Sequence, residues 1–362
     1  MTNFGLYVHV PFCRSKCNYC DFYSACPSGN EMDSYTLRVT DEIKRWGVRV
    51  ARPIDTLYLG GGIPSLLGGE NLKKIISAVD RAFGINKGAE ITLECNPADE
   101  LEDTFLAAAA AGVNRLSVGV QSGIGRELSV LGRRHGVEDA EKTVLAARRA
   151  GIENISLDLM LGLPESTLDT VLESINYICS LQPQHISVYM LKIEEGTPFY
   201  KNRPPLPSED ETAEQYLFVC RELKKRGYLQ YEISNFCKKG YESRHNKNYW
   251  LLGEYLGIGP SAHSFLDGRR FYYPRDTRAF LEGTAVIPDG TGGELSEFIM
   301  LRLRLGEGLL WEEAAARGAD VDKMKKTAER LKDTGLLEVC DKGIKLTERG
   351  FLLSNAVIGE FI

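Results

Sequence analysis

The segment Cys13-Arg14-Ser15-Lys16-Cys17-Asn18-Tyr19-Cys20 sets three thiols at CxxxCxxC spacing in a short polar loop. Thiolates spaced this way can converge on one metal centre. A four-iron cubane held by only three cysteines keeps one iron free for a substrate or cofactor, and chemistry can start there. Zinc and redox chemistry also use CxxC pairs. A structural zinc site takes four ligands, usually as two spaced pairs, but no second CxxC or HxxxH follows and the next cysteine is Cys26. Redox use of Cys17 and Cys20 alone leaves Cys13 unexplained. Three buried structural thiols are the plainest alternative, and that reading suits cysteines scattered singly better than a cluster.

The elements around the loop place it at a strand end. Gly5 to Val10 alternates apolar and β-favouring residues and reads as a first strand, which delivers the chain through Pro11 and Phe12 into the cysteines. A helix follows from about Glu31 to Trp46. A second strand, Thr56 to Leu59, runs into Gly60-Gly61-Gly62-Ile63-Pro64-Ser65, where glycines permit positive φ and close backbone approach to a ligand. Taken alone, that loop is as often just a turn. The alternation continues through a helix near Asn71 to Phe83, strand Ile91 to Cys95, helix Leu101 to Ala111, strand Arg115 to Gly119, and a helix near Val137 to Ala150. Strand Ile155 to Leu161, helix Leu168 to Leu181 and strand His185 to Leu191 complete it. Such alternation implies parallel pairing through right-handed crossovers. The expected fold class is α/β, a partial (β/α)6 TIM-like barrel.

Active sites in such barrels lie at the C-terminal strand ends. Glu94, Gln121 and Asp158 fall at or near those ends, and Arg133 follows in the segment Leu131 to His135. Each alone is more often a satisfied structural hydrogen-bonder, whereas several at one rim indicate ligand binding.

Apolar residues at 43% and charged residues at 26% describe an ordinary globular chain. The formal charge of −6 supplies no basic face for a nucleic-acid backbone. No apolar run reaches the roughly 18 residues of a membrane span, and the start of the chain has no signal-peptide pattern, so a cytoplasmic location is expected. Nine cysteines, an odd number with the tightest group suited to a cluster, fit a reducing compartment.

After residue 192 the character changes. Glu194 to Ser208 is turn-rich, a helix is expected from about Glu211 to Arg226, and Tyr231 to Phe236 reads as a strand. It leads to Arg244-His245-Asn246-Lys247-Asn248-Tyr249-Trp250, where the histidine could be surface packing or a haem ligand. From about Leu295 helices precede a glycine-turned hairpin at 337–346, resembling a winged helix with mixed charge. The expected organisation is a barrel with its extension over 1–290 and a small, mainly helical, winged-helix-like domain over 291–362, serving packing rather than DNA reading.

CxxxCxxC with an aromatic before the last cysteine resembles the signature of the radical SAM enzymes, and GGGIPS resembles their glycine motif, with Ile63 where the usual form has Thr. In that superfamily the open iron chelates S-adenosylmethionine, and one electron cleaves it to methionine and a 5′-deoxyadenosyl radical. The segments YVHVPFC, GGGIPS, ECNP, RLSVGVQS, LGRRH and DLMLGLP extend the resemblance to the oxygen-independent coproporphyrinogen III oxidase family, along nearly the full chain. The resemblance implies a 4Fe-4S cluster on Cys13, Cys17 and Cys20, and S-adenosylmethionine among Tyr7, Tyr19, Gly61, Gly62, Ile63, Glu94, Gln121, Arg133 and Asp158. The oxidases of that family carry a further cysteine two residues after the third, where this chain has Phe22. A HemW-like haem chaperone subtype lacks it and carries HNxxYW, matched by His245 to Trp250. That closer resemblance implies haem as cargo with His245 as its ligand, haem-accepting respiratory proteins as partners, and an electron donor such as flavodoxin or ferredoxin. It leaves open a homodimer, contact with the inner face of the membrane, and whether the radical is used. The alternative is an oxygen-independent coproporphyrinogen III dehydrogenase or another radical SAM oxidoreductase.

Overall fold

The computed structural model describes residues 3–98 and 101–362. Its main sheet contains β1 Phe4–Val10, β2 Ile54–Gly61, β3 Ile85–Cys95, β4 Arg115–Gln121, β5 Asn154–Leu161 and β6 His185–Met190 in consecutive parallel order. Helices join each strand to the next across the outer face. The period-2 alternation of these strands explains the layering. Leu6, Val8, Leu57, Leu59, Ile91, Leu93, Leu116, Val118, Ile155, Leu157, Ile186 and Val188 form one buried set that joins the helices' apolar stripes in a single core. The alternate positions hold Tyr7, His9, Thr56, Tyr58, Glu90, Thr92, Glu94, Arg115, Ser117, Ser156, Asp158, His185 and Ser187. The concave interior of the partial barrel is therefore polar, and its side chains bond across strands, as Tyr58 does to Glu94 and Ser156 to His185.

The sheet extends beyond both ends of this parallel run. β7 Leu229–Gln230 and β8 Asn235–Cys237 join beside β6. The continuous strand expected over Tyr231 to Phe236 is a correction: residues 231–234 turn back, closed by Tyr231 N–H to the Asn235 carbonyl at 3.1 Å. The turn is favoured because the buried Glu232 carboxylate accepts the Ser234 N–H at 3.2 Å. At the other end β9 Glu254–Ile258 lies parallel to β1, followed by antiparallel β10 His263–Leu266, β11 Arg269–Tyr272 and β12 Ile287–Thr291. The reading by helix–strand alternation did not include these four strands. Asp267 and Gly268, with φ of 50° and 70°, make the β10–β11 hairpin turn, a Asp-Gly signal that the sequence carries openly.

The C-terminal part holds helices Leu295–Arg302, Trp311–Ala316 and Val321–Lys332 around a three-stranded sheet of β13 Leu309–Leu310, β14 Leu337–Cys340 and β15 Gly343–Leu346. Its buried Leu309, Trp311, Met324 and Ile344 belong to the same core as the barrel. Among the described residues no helix is long and apolar enough to cross a membrane.

Two helices cover the strands that deliver the cysteine and glycine loops. Glu31–Val50 buries Tyr35, Val39, Ile43 and Trp46 at helical spacing, and Gly68–Phe83 buries Leu72, Ile75, Ile76, Val79 and Phe83. They meet at Gly47, where an added Cβ would lie 2.6 Å from the Ala82 carbonyl oxygen. Gly47→Ala would gain about 1 kcal/mol of helix propensity on an exposed face. Here overpacking against backbone, typically about 1–3 kcal/mol, outweighs it. Chemical denaturation is expected to show a net loss on the order of 1 kcal/mol; a gain would show that the two helices do not meet this closely.

Candidate functional site

The cysteine loop is closed at its base by Cys13 N–H to the Ala25 carbonyl at 3.0 Å and Ala25 N–H to the Pro11 carbonyl at 2.9 Å, and segments far away in sequence hold it from outside. At its entry, Ile63 N–H donates to the Phe12 carbonyl at 2.7 Å and Gly62 N–H to Val10 at 2.8 Å. A Cβ on Gly62 would meet the Phe12 carbonyl oxygen at 2.4 Å, and one on Gly61, whose φ is +110°, would meet the His9 ring at 2.6 Å. These glycines therefore let two backbones pass each other, beyond any room they leave for a ligand. Mid-loop, Asn18 donates its backbone N–H to Leu131 at 3.0 Å and its amide to Val130 at 2.8 Å. At the exit, Arg275 donates to the Asp21 carbonyl at 2.6 Å, and the Tyr23 hydroxyl accepts the Thr277 N–H at 2.7 Å.

All nine cysteines are free thiols, and Cys13, Cys17 and Cys20 are half-buried. Burial raises the Cys13 and Cys20 thiols above their usual range; Cys20 and Cys17 raise Cys13 further and Cys17 raises Cys20, so the three lie within electrostatic reach. A cationic metal centre would reverse that repulsion. Among the described residues no three Cys, His, Asp or Glu side chains converge as on a single ion. A cubane seats one thiolate per iron and thus spreads its ligands wider. Cys26, by contrast, is exposed and points its thiol at the Arg14 carbonyl, 3.3 Å away.

The strand-end residues surround this loop in two groups. Ile63, Arg133 and Cys17 line a cavity of about 480 Å³ that also includes Asn96. Arg133 donates to Asn96 at 2.8 Å and to the Gly119 carbonyl, and approaches the Cys17 sulfur at 3.7 Å. Tyr7, Gly61 and Glu94 line a second cavity of about 380 Å³ on the other side. The Glu94 carboxylate accepts from the Tyr58 hydroxyl at 2.6 Å and the Gly61 N–H at 3.1 Å, so both oxygens are engaged. Gln121 and Asp158 stand on β4 and β5, Gln121 with a left-handed φ of +73°. Tyr19 packs against Leu131, Met160, Leu163 and Phe199, its aromatic body filling the gap between loop and barrel.

Asp158 retains some solvent contact, yet protein surrounds it closely enough that desolvation dominates and lifts its carboxyl to about 7. His9, bonded through Nδ1 to the Tyr7 hydroxyl and through Nε2 to the Tyr23 carbonyl, both at 2.9 Å, is lowered by burial to about 4. Arg115 escaped the sequence reading. It stands almost wholly buried on the polar interior, at the start of β4. The period-2 pattern of β4 was the signal that could have found it.

His245 departs most from expectation. It is 1% exposed, on the short helix Arg244–Trp250 that closes the floor of the interior. Its Nδ1 lies 2.8 Å from the Thr56 hydroxyl and its Nε2 2.6 Å from the Tyr249 hydroxyl. The Glu90 carboxylate accepts the backbone N–H groups of Arg244 and His245 at 3.0 and 2.9 Å. Both ring nitrogens are therefore occupied, and burial lowers the imidazole to about 3. Haem ligation by this side chain would require breaking two hydrogen bonds inside the core.

A loop of three clustered cysteines at a strand end, a glycine loop beside it and a partial parallel barrel define a radical SAM protein. The chain matches the Radical SAM superfamily over residues 7–178 and the HemN C-terminal domain over residues 294–353. It is 35% identical to the heme chaperone HemW of Escherichia coli over 99% of this chain and 98% of that one. It is 34% identical to the heme chaperone HemW of Bacillus subtilis over 98% of each. Coproporphyrinogen III oxidase from Escherichia coli, a radical SAM enzyme, shares the fold with a TM-score of 0.85 at 22% identity, covering 99% of this chain and 90% of that one. The chain belongs to the HemW family of the radical SAM superfamily, whose cofactors are a 4Fe-4S cluster and S-adenosylmethionine.

The Asp158 carboxyl makes stability depend on pH. Below about pH 4 it is protonated folded and unfolded, and it contributes nothing. Between about 4 and 7 the unfolded chain ionises while the folded one stays protonated, costing the fold about 1.4 kcal/mol per pH unit. Above about 7 the cost is constant. Asp158→Asn is therefore expected to gain stability over the parent protein as pH rises through that window, read from denaturation midpoints. A difference that stays flat with pH would contradict it.

Proposed function

We propose that this protein is a haem chaperone that binds haem and passes it to haem-dependent respiratory proteins. The observation that carries this reading is the 35% identity, over nearly the whole of both chains, to a relative named for that activity. Phe22 supports it from within. At the position where the oxidases have their extra cysteine, this chain has a phenyl ring 67% exposed on the wall of the smaller cavity, with no sulfur to offer.

Cys13, Cys17 and Cys20 hold three irons of the 4Fe-4S cluster in this reading. When bound, the cluster supplies one-electron chemistry at the sulfonium of S-adenosylmethionine. Tyr7, Tyr19, Gly61, Gly62, Ile63, Glu94, Gln121, Arg133 and Asp158 frame that cofactor. Arg133 offers a guanidinium beside Cys17 suited to a carboxylate, and the carboxyl of Asp158 suits the cationic sulfur once ionised. Residues 1–290 act as the cofactor-bearing barrel with its extension, and 291–362 as a packing module. An electron donor of the flavodoxin or ferredoxin class serves the cluster.

Titration of the anaerobically reconstituted protein with haem tests the function: one equivalent is expected to bind with a saturable Soret change, and no saturable change would defeat it. Iron and sulfide analysis tests the cluster. Cys17→Ala is expected to lose most of both, whereas Cys26→Ala keeps them. Full cluster content in Cys17→Ala would remove the motif from its role.

A further inference from the structure

The carrier reading needs a place for the haem, and the structure limits where an imidazole can meet its iron. The chain has five histidines, all among the described residues. His9, His185 and His245 each have both ring nitrogens engaged and are buried. His135 is 9% exposed and its Nε2 lies 3.3 Å from the Val120 carbonyl, in the wall of the cavity that holds Arg133. His263 alone is exposed, and among the described residues no hydrogen bond engages its ring. It opens β10 and stacks on Tyr272, with centroids 5.0 Å apart and planes at 21°. The stack covers one face of the ring and fixes its plane.

His263 faces the cavity of about 380 Å³ bounded by the exit of the cysteine loop on one side and β9–β10 on the other. That volume is smaller than a whole haem, so the cavity receives one edge of the macrocycle and leaves the rest outside it. Phe22, Tyr23, Tyr249 and Tyr255 line it, and flat aromatic walls suit the face of a macrocycle. Phe22 is a large apolar ring left in water, which a bound ligand would cover. Arg275 is the only lysine or arginine on the lining. One of its nitrogens holds the Asp21 carbonyl at 2.6 Å and lies 3.4 Å from the Asp21 carboxylate. Its Nε and Nη1 have no hydrogen-bond partner among the described residues and can meet a carboxylate.

We propose that haem sits in this cavity with His263 as its axial ligand, Arg275 facing a propionate, and the tyrosines against the ring. The proposal rests on the carrier reading and changes the part played by His245. That residue positions the wall: its Nε2 holds the hydroxyl of Tyr249, whose ring packs edge-on against Tyr255 at 4.5 Å. The haem then lies beside Tyr7, Gly61 and Glu94, which border the same cavity from the barrel interior.

The experiment compares wild type, His263→Ala and His245→Ala by haem titration, with absorption and EPR reading the axial ligand, and iron and sulfide content as the control for an intact loop. His263→Ala is expected to keep its cluster, lose the imidazole-ligated spectrum and bind haem at least about tenfold more weakly. Added free imidazole should restore the spectrum, which a merely structural loss would not permit. His245→Ala should bind more weakly but retain the wild-type ligation spectrum. Wild-type affinity and spectrum in His263→Ala, or loss of imidazole ligation in His245→Ala alone, would overturn the site while leaving the carrier reading in place. Failure of the wild type to bind haem would overturn both.

Discussion

Phe12 and Gly62 pass so closely that no side chain fits between them. That contact, with the Ile63 N–H bonded to the Phe12 carbonyl, fixes where the cysteine loop leaves β1. The loop closes at its base through Cys13 N–H to the Ala25 carbonyl and Ala25 N–H to the Pro11 carbonyl, and distant segments hold the rest of it. Asn18 docks on residues 130–131, and Asp21 and Tyr23 are tied to Arg275 and Thr277. The segment between β11 and β12 is thus part of the scaffold of the cysteine loop, although its partners there are 254 residues apart in sequence.

The second constraint is the division of each barrel strand into an apolar and a polar face. Outward residues make the core with the helices, while inward ones form a continuous hydrogen-bonded lining. Low dielectric holds the enclosed histidines neutral and pushes the Asp158 carboxyl up. The lining is thereby prepared for a cationic or polar cofactor, and it removes most histidines from service as metal ligands. His245 illustrates the trade. Its HNxxYW segment closes the floor of the barrel, and the part of the motif that reaches a cavity is Tyr249.

Much of this was legible in the sequence because it depends on local spacing. The CxxxCxxC loop, the three glycines and the strands and helices of the barrel each announce themselves by local spacing or period. What the sequence obscured depends on contacts between distant segments. β9 to β12 are short and lack intervening helices, so alternation did not reveal them, although Asp267-Gly268 marked one hairpin. The turn at 231–234 follows from a buried glutamate that no propensity registers. His245 reads as a ligand by residue type and motif, and only its distance to Thr56, 189 residues away, shows the ring already spoken for.

In the function proposed above, a radical SAM scaffold carries haem and leaves its precursor unprocessed. The most direct measurement is an anaerobic assay of fully reconstituted, reduced protein supplied with S-adenosylmethionine and coproporphyrinogen III, following carbon dioxide release and protoporphyrinogen IX. The account predicts no conversion above a cluster-free control, from a preparation that binds haem. Sustained decarboxylation of the two propionates would contradict it and make the protein an enzyme of the oxidase branch.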